Sequence, residues 1–140
     1  MTPSCAAPLI MCKQVSSYAT SDKWTIVGEW SGALTDCAKH LNGFASGSRM
    51  EGSFAGASYV GSCNGKSGRV DTWSQDWKDS VRRYIEAQLD AFEARTQGWI
   101  FWNFKTEGSA GDWDLFQLLD GGMFPQPLSD RKFGKYCTNF

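Results

Sequence analysis

The sequence predicts an α/β fold organised around one strand–helix–strand unit with parallel strands. Three observations predict it. Thr25-Ile26-Val27-Gly28-Glu29-Trp30 is a short apolar, β-branched run that stops at a glycine, a carboxylate and a tryptophan, and it reads as a buried strand over residues 24–29. Gly98-Trp99-Ile100-Phe101-Trp102-Asn103-Phe104, followed by Lys105-Thr106-Glu107, repeats that arrangement. Between them lies one long amphipathic stretch, and strand, helix, strand is the signature of a parallel unit.

Residues 1–23 are an irregular lead-in with Pro3, Pro8 and a Ser16-Ser17 pair. Its apolar run, Ala6-Ala7-Pro8-Leu9-Ile10-Met11, is short, broken by proline and without a positive lead, so it does not read as a signal peptide. After the first strand, residues 37–41 predict a short helical turn closed by Asn42-Gly43. Residues 43–71 form a long Gly- and Ser-rich loop, and a loop of that length in one domain is usually functional or partly disordered.

The helix is expected near residues 75–95. Thr72 or Ser74 is its N-cap, and Thr72 with Gln75 fits a capping box. Trp77, Val81, Tyr84, Ile85, Leu89 and Phe92 recur at three- and four-residue intervals. Lys78, Arg82, Arg83, Glu86, Asp90 and Glu93 fall largely outside that stripe. Gln97-Gly98 ends the helix and leads into the second strand. Beyond the Gly108-Ser109-Ala110-Gly111 turn, residues 112–119 fit strand or helix equally. Asp120-Gly121-Gly122 is a turn, Phe124-Pro125-Gln126-Pro127 is extended, and Ser129-Asp130 caps a short final helix over residues 131–136.

The 140 residues suffice for one domain with a real core, and 41% hydrophobic against 21% charged residues argues for a globular chain. A net charge of -1 without a Lys/Arg cluster argues against nucleic acid and against a polybasic membrane patch. No apolar run is long enough to span a bilayer. Five cysteines, Cys5, Cys12, Cys37, Cys63 and Cys137, contain no C-x-x-C pair, which argues against zinc and for disulfides in an oxidising compartment. Their connectivity is not readable from spacing. Were Cys37 joined to Cys63, the bridge would staple the long loop, contributing roughly 3 kcal/mol by closing about 25 residues. No metal site and no cofactor are expected.

Seven tryptophans in 140 residues is a heavy aromatic load. Flat apolar rings match the C–H faces of sugars, although most such rings serve cores. Trp30 and Trp102 stand apart because each adjoins a strand end. A carboxylate at such an end is costly unless hydrogen-bonded, paired or used. Glycoside hydrolysis needs two carboxyl groups flanking one bond, ~5–5.5 Å apart in a retaining enzyme. Glu29, positioned by a strand, suits the nucleophile; the plainer alternative is a structural glutamate paired with a cation.

Gly28-Glu29-Trp30-Ser31-Gly32-Ala33-Leu34-Thr35-Asp36-Cys37-Ala38-Lys39 closely resembles the fungal exo-β-1,3-glucanases of glycoside hydrolase family 5. The resemblance continues through Leu41-Asn42-Gly43, Tyr59-Val60-Gly61-Ser62-Cys63 and Arg82-Arg83-Tyr84-Ile85-Glu86-Ala87-Gln88-Leu89-Asp90-Ala91-Phe92-Glu93. It resumes at Gly98-Trp99-Ile100-Phe101-Trp102, at Lys105-Thr106-Glu107 and at Gly122-Met123-Phe124-Pro125-Gln126-Pro127. Several long motifs in the right order are far more specific than any one of them.

That resemblance implies a (β/α)8 TIM barrel, of which this chain carries the C-terminal part: strands seven and eight with the helix between. All of residues 1–140 then belong to one catalytic-domain portion. It implies a secreted or cell-wall enzyme that releases glucose from β-1,3-glucan with retention, with Glu29 as nucleophile. Trp102 matches the aromatic platform of the glucose subsite and often precedes a non-proline cis peptide, here Trp102-Asn103. Asn42 matches a residue lining the acceptor side, and Trp30 is a further substrate-binding candidate. Cys37 and Cys63 match a family disulfide, and Cys137 matches half of another, with Cys12 or Cys5 as its partner.

The sequence departs from the family at Gly32, His40 and Phe44, which replace common residues and bear on the acceptor side. A whole barrel needs about 250 residues. The family's acid/base glutamate lies in an Asn-Glu-Pro motif, which does not occur here. Of Asp36, Glu51, Glu107, Asp112 and Asp114, Glu107 is best placed to stand in for it, although a structural or binding role suits it better. The remainder of the barrel is thus an implied partner. The alternative reading is a truncated, non-catalytic glucan-binding relic or an inactive fragment.

Overall fold

The computed structural model describes Cys12 and residues 21–136. Strand β1 (Ile26–Trp30), helix α1 (Gln75–Arg95), strand β2 (Gly98–Phe101) and helix α2 (Leu115–Asp120) follow in chain order. Single 3-10 turns at Val70–Thr72 and Gly111–Trp113 precede the two helices. β1 and β2 pair in parallel, so the expected parallel unit is present. Among the described residues these are two strands of one sheet and not a closed barrel.

The sheet has one covered and one open face. Val27, Trp99 and Phe101 pack toward α1 and the core formed with Val81, Ile85, Leu89 and Phe92. Ile26 and Ile100 are 57% and 58% exposed on the other side. The β-branched run therefore reads as buried because it is apolar on both faces, the pattern of a strand within a covered parallel sheet.

Helix α1 is capped by Ser74, the second of the two expected caps, two residues beyond Thr72. The Thr72 hydroxyl is turned back onto the Arg69 carbonyl at 2.7 Å, and Ser74 Oγ accepts from the Trp77 amide instead. Gln75 donates to Asp79. Asp76 in the first turn and Arg95 in the last complement the helix dipole. Thr96 closes the helix, its amide and hydroxyl both donating to the Phe92 carbonyl at 2.8 Å.

Arg82 and Glu86 overturn the expectation that they lie outside the stripe: both are buried. They are covered by residues 130–136, which form no helix. The Lys132 and Phe133 amides donate to the Glu86 carboxylate at 2.8 and 2.9 Å, and the Tyr136 amide donates to Asp90 at 3.0 Å. The Tyr136 amide, committed to Asp90, is not available to close the turn of a helix over residues 131–136. Arg82 completes the cluster, donating to Glu86, to the Gly122 carbonyl at 3.0 Å and to Asp130. The Arg83 guanidinium lies 3.6 Å over the Phe133 ring. Residues 37–41 also differ from expectation, forming turns without a helix. Residues 112–119 resolve into the second 3-10 turn and α2, which Asp114 caps by accepting from the Gln117 amide. No helix among the described residues is long and apolar enough to cross a membrane.

Candidate active site

A bulge at the end of β1 sets the geometry. The register runs Ile26 to Gly98 and Val27 to Trp99, then jumps to Trp30 opposite Phe101, so β1 carries one extra residue. In a regular strand Val27 and Glu29 would share a face. The extra residue breaks that alternation. Trp30 turns into the core, 6% exposed, and Glu29 is left exposed. No hydrogen bond or ion pair engages the Glu29 side chain among the described residues.

Trp30, a substrate-binding candidate in the sequence, is buried in this structure. Phe92, Trp99, Phe101 and Phe124 surround its ring with centroids 5.0–5.9 Å away, leaving no face for a sugar. Trp102 is the contrasting case. It follows β2, is 50% exposed, and is joined to Asn103 by a cis peptide bond. Its amide donates to the Trp30 carbonyl at 2.7 Å, which holds the ends of the two parallel strands together. The exposed side chains of Glu29 and Trp102 thus leave the same end of the sheet.

Asn42 lies on the loop after β1 and is tied down by the loop itself. Its amide nitrogen donates to Asp36 at 2.7 Å and to the Gly47 carbonyl at 3.0 Å, and its oxygen accepts from Arg49. Asp36 is the hub. It also accepts from the Ser48 hydroxyl at 2.7 Å and from the Arg49 and Met50 amides at 2.6 and 3.0 Å. Burial acts to raise the Asp36 pKa, but these donors outweigh it and hold the carboxyl well below the usual carboxylate range. The Cys37–Cys63 disulfide, whose halves are 26 positions apart, closes the same loop. Cys12 is buried and disulfide-bonded; Cys5 and Cys137 lie outside the described residues.

The carboxylates weighed as alternative acids are mostly committed. Asp36 is saturated, Glu51 accepts from the Cys63 amide, and Asp114 accepts from Thr106 and Gln117. Asp112 is 1% exposed with neither oxygen hydrogen-bonded, and burial pushes its pKa up to about 6. Glu107 is exposed and lines a groove with Arg69, Lys105, Asp114, Gln117 and Asp120. No group of three His, Cys, Asp or Glu side chains among the described residues could hold a metal. The Asp36 hub escaped sequence reasoning because three of its donors, Ser48, Arg49 and Met50, lie 12–14 residues away in a loop without periodicity.

No protein-family model matches the chain. Individual relatives do. A glucan 1,3-beta-glucosidase of Kluyveromyces lactis is 48% identical over 134 residues, which is 93% of this chain and 30% of the relative. One of Lachancea kluyveri is 48% identical over 91% of this chain and 29% of its own length. A probable glucan 1,3-beta-glucosidase A of Emericella nidulans is 52% identical over 84% of this chain, again 29% of its own length. The chain spans about 30% of the length of these curated relatives.

Proposed function

Because the chain belongs among the fungal glucan 1,3-beta-glucosidases, we propose that it supplies the nucleophile half of a retaining β-1,3-glucan hydrolase of glycoside hydrolase family 5. The single observation that carries this reading is the bulge, which leaves Glu29 exposed and unpartnered at the end of β1 while Trp30 is spent on the core. Active-site groups in parallel barrels stand at the C-terminal ends of strands. Glu29 and Trp102 occupy that position on two adjacent strands.

In this mechanism the Glu29 carboxylate attacks the anomeric carbon of the terminal glucosyl unit. The glycosidic C–O bond breaks, and a carboxylic acid protonates the departing oxygen. Water, deprotonated by that same group, then displaces Glu29 with a second inversion, so configuration is retained. Trp102 stacks on the apolar face of the glucose ring. The acid/base residue belongs to the remainder of a (β/α)8 barrel, which packs on the open face marked by Ile26 and Ile100. Secretion, to the medium or the cell wall, fits the disulfide in the loop after β1.

Glu29→Gln in the complete protein should abolish hydrolysis of laminarin while leaving the fold intact. Near-normal turnover in that variant would refute the assignment. The second reading is a glucan-binding module without catalysis, for which the half-exposed Trp102 ring supplies a stacking face. It predicts saturable quenching of Trp fluorescence by laminari-oligosaccharides with no release of glucose.

A further inference from the structure

We infer that Asn64 is a site of spontaneous covalent modification, deamidating through attack by the Gly65 backbone nitrogen, and that the chemically identical Asn42-Gly43 pair is held out of that reaction by the fold. The inference does not depend on the hydrolase reading.

An asparagine followed by glycine lets the side-chain amide and the next backbone nitrogen meet easily, because no Cβ stands in the way. The described residues hold two such pairs, Asn42-Gly43 and Asn64-Gly65, both on the connection between β1 and α1. The reaction needs a free side chain and a free backbone amide. Asn42-Gly43 has neither. The Asn42 side chain is bonded to Asp36, to the Gly47 carbonyl and to Arg49, and the Gly43 amide donates to the His40 carbonyl at 2.9 Å. Asp120-Gly121, whose aspartate could close the same ring, is blocked as well, since the Gly121 amide donates to the Gln117 carbonyl at 2.9 Å.

Asn64-Gly65 is open. The Lys66 amide donates to the Cys63 carbonyl at 3.0 Å, closing a turn with Asn64 and Gly65 at its centre. Gly65 has φ 71°, which is why the turn takes a glycine there. Both central residues are exposed, and no hydrogen bond engages the Asn64 side chain or the Gly65 amide among the described residues. Nothing lies within 4 Å of the place a Cβ on Gly65 would occupy, so the turn has room for a succinimide ring.

Water is the only co-reactant. The Gly65 nitrogen loses its proton to solvent and bonds to Asn64 Cγ, the Cγ–Nδ2 bond breaks, and the side-chain nitrogen leaves as ammonia. Water then opens the imide at either carbonyl, giving aspartate or isoaspartate. Either product adds a negative charge beside Cys63, whose amide already donates to the Glu51 carboxylate at 2.8 Å.

The test incubates the complete, folded protein at mildly alkaline pH and follows both asparagines by peptide mapping that separates aspartate from isoaspartate. Asn64 should convert at least about tenfold faster than Asn42, because each hydrogen bond that must open before attack slows the reaction about fivefold. Isoaspartate should exceed aspartate, the signature of a succinimide. In denaturant the two rates should converge to within about twofold. Asn64→Gln, at an exposed side chain, should remove the acidic form that accumulates in the parent. Asn64 converting no faster than Asn42 in the folded protein would overturn the inference. So would aspartate forming without isoaspartate, or a gap between the two rates that persists undiminished in denaturant.

Discussion

The Trp102 amide donates to the Trp30 carbonyl at 2.7 Å, across the point where β1 carries its extra residue. This bond ties a core tryptophan to an exposed one. It also fixes the end of the strand bearing Glu29 to the end of the strand bearing Trp102. Two tryptophans that look equivalent in the sequence therefore stand in opposite environments, one buried and one half-exposed, and they predict opposite phenotypes.

Trp30→Ala should act on stability. Removing a ring packed against four aromatic neighbours is expected to cost about 3–5 kcal/mol, read as a lowered denaturant midpoint. Trp102→Ala, at a half-exposed position, should leave the midpoint nearly unchanged and reduce glucoside binding. A reversed pattern would contradict the assignment of the two rings.

Glu86→Gln should loosen the C-terminal strap. The change leaves Arg82 buried opposite a neutral amide, and breaking a buried pair typically costs about 3–5 kcal/mol. The Lys132 and Phe133 amides, which donate to Glu86, should lose hydrogen-exchange protection before the middle of α1 does. Uniform loss across the chain would show that the strap is not a separate unit.

Asp112 predicts a pH dependence. Its folded pKa of about 6 lies above the ordinary 3.8, so the folded state holds a proton that the unfolded state has released between those values. Stability from this group is complete below about pH 3.8 and falls as pH rises to about 6, by roughly 2–3 kcal/mol. Asp112→Asn should remove that slope. The variant's stability relative to its parent should improve from pH 4 to pH 6.5 and level off above; a constant difference across that range would contradict the burial argument.

Asp36 has the opposite sign. Its depressed pKa means that it stabilises the loop above the ordinary carboxylate pKa of 3.8 and loses that contribution as pH falls below it. Asp36→Asn should therefore expose the Arg49 and Met50 amides at neutral pH, as acid does in the parent. Protection factors at those two amides measure it directly, and protection equal to the parent's would count against the hub.

The elements were largely legible in the sequence because each carries a local signal. The β-branched run marked β1, and the stripe from Trp77 to Phe92 marked α1. What escaped was set by contacts distant along the chain. The bulge that turns Trp30 inward depends on the partner strand, so no pattern within Ile26–Trp30 reveals it. Arg82 and Glu86 read as solvent-facing because charge is their only local cue, whereas a strap more than 40 residues away buries them. Thr72 lost its capping role to a bond with Arg69, a choice between two local turns that composition does not decide. The Cys37–Cys63 bridge, implied by family resemblance and not by spacing, is present.

The central claim is that Glu29 forms the glycosyl-enzyme bond. The most direct measurement is to trap that bond in the complete protein with 2-deoxy-2-fluoro-β-glucosyl fluoride and map the modified peptide by mass spectrometry. The adduct is predicted on the peptide containing Gly28-Glu29-Trp30, with the label on Glu29. An adduct on any other carboxylate, Glu107 included, would contradict the account.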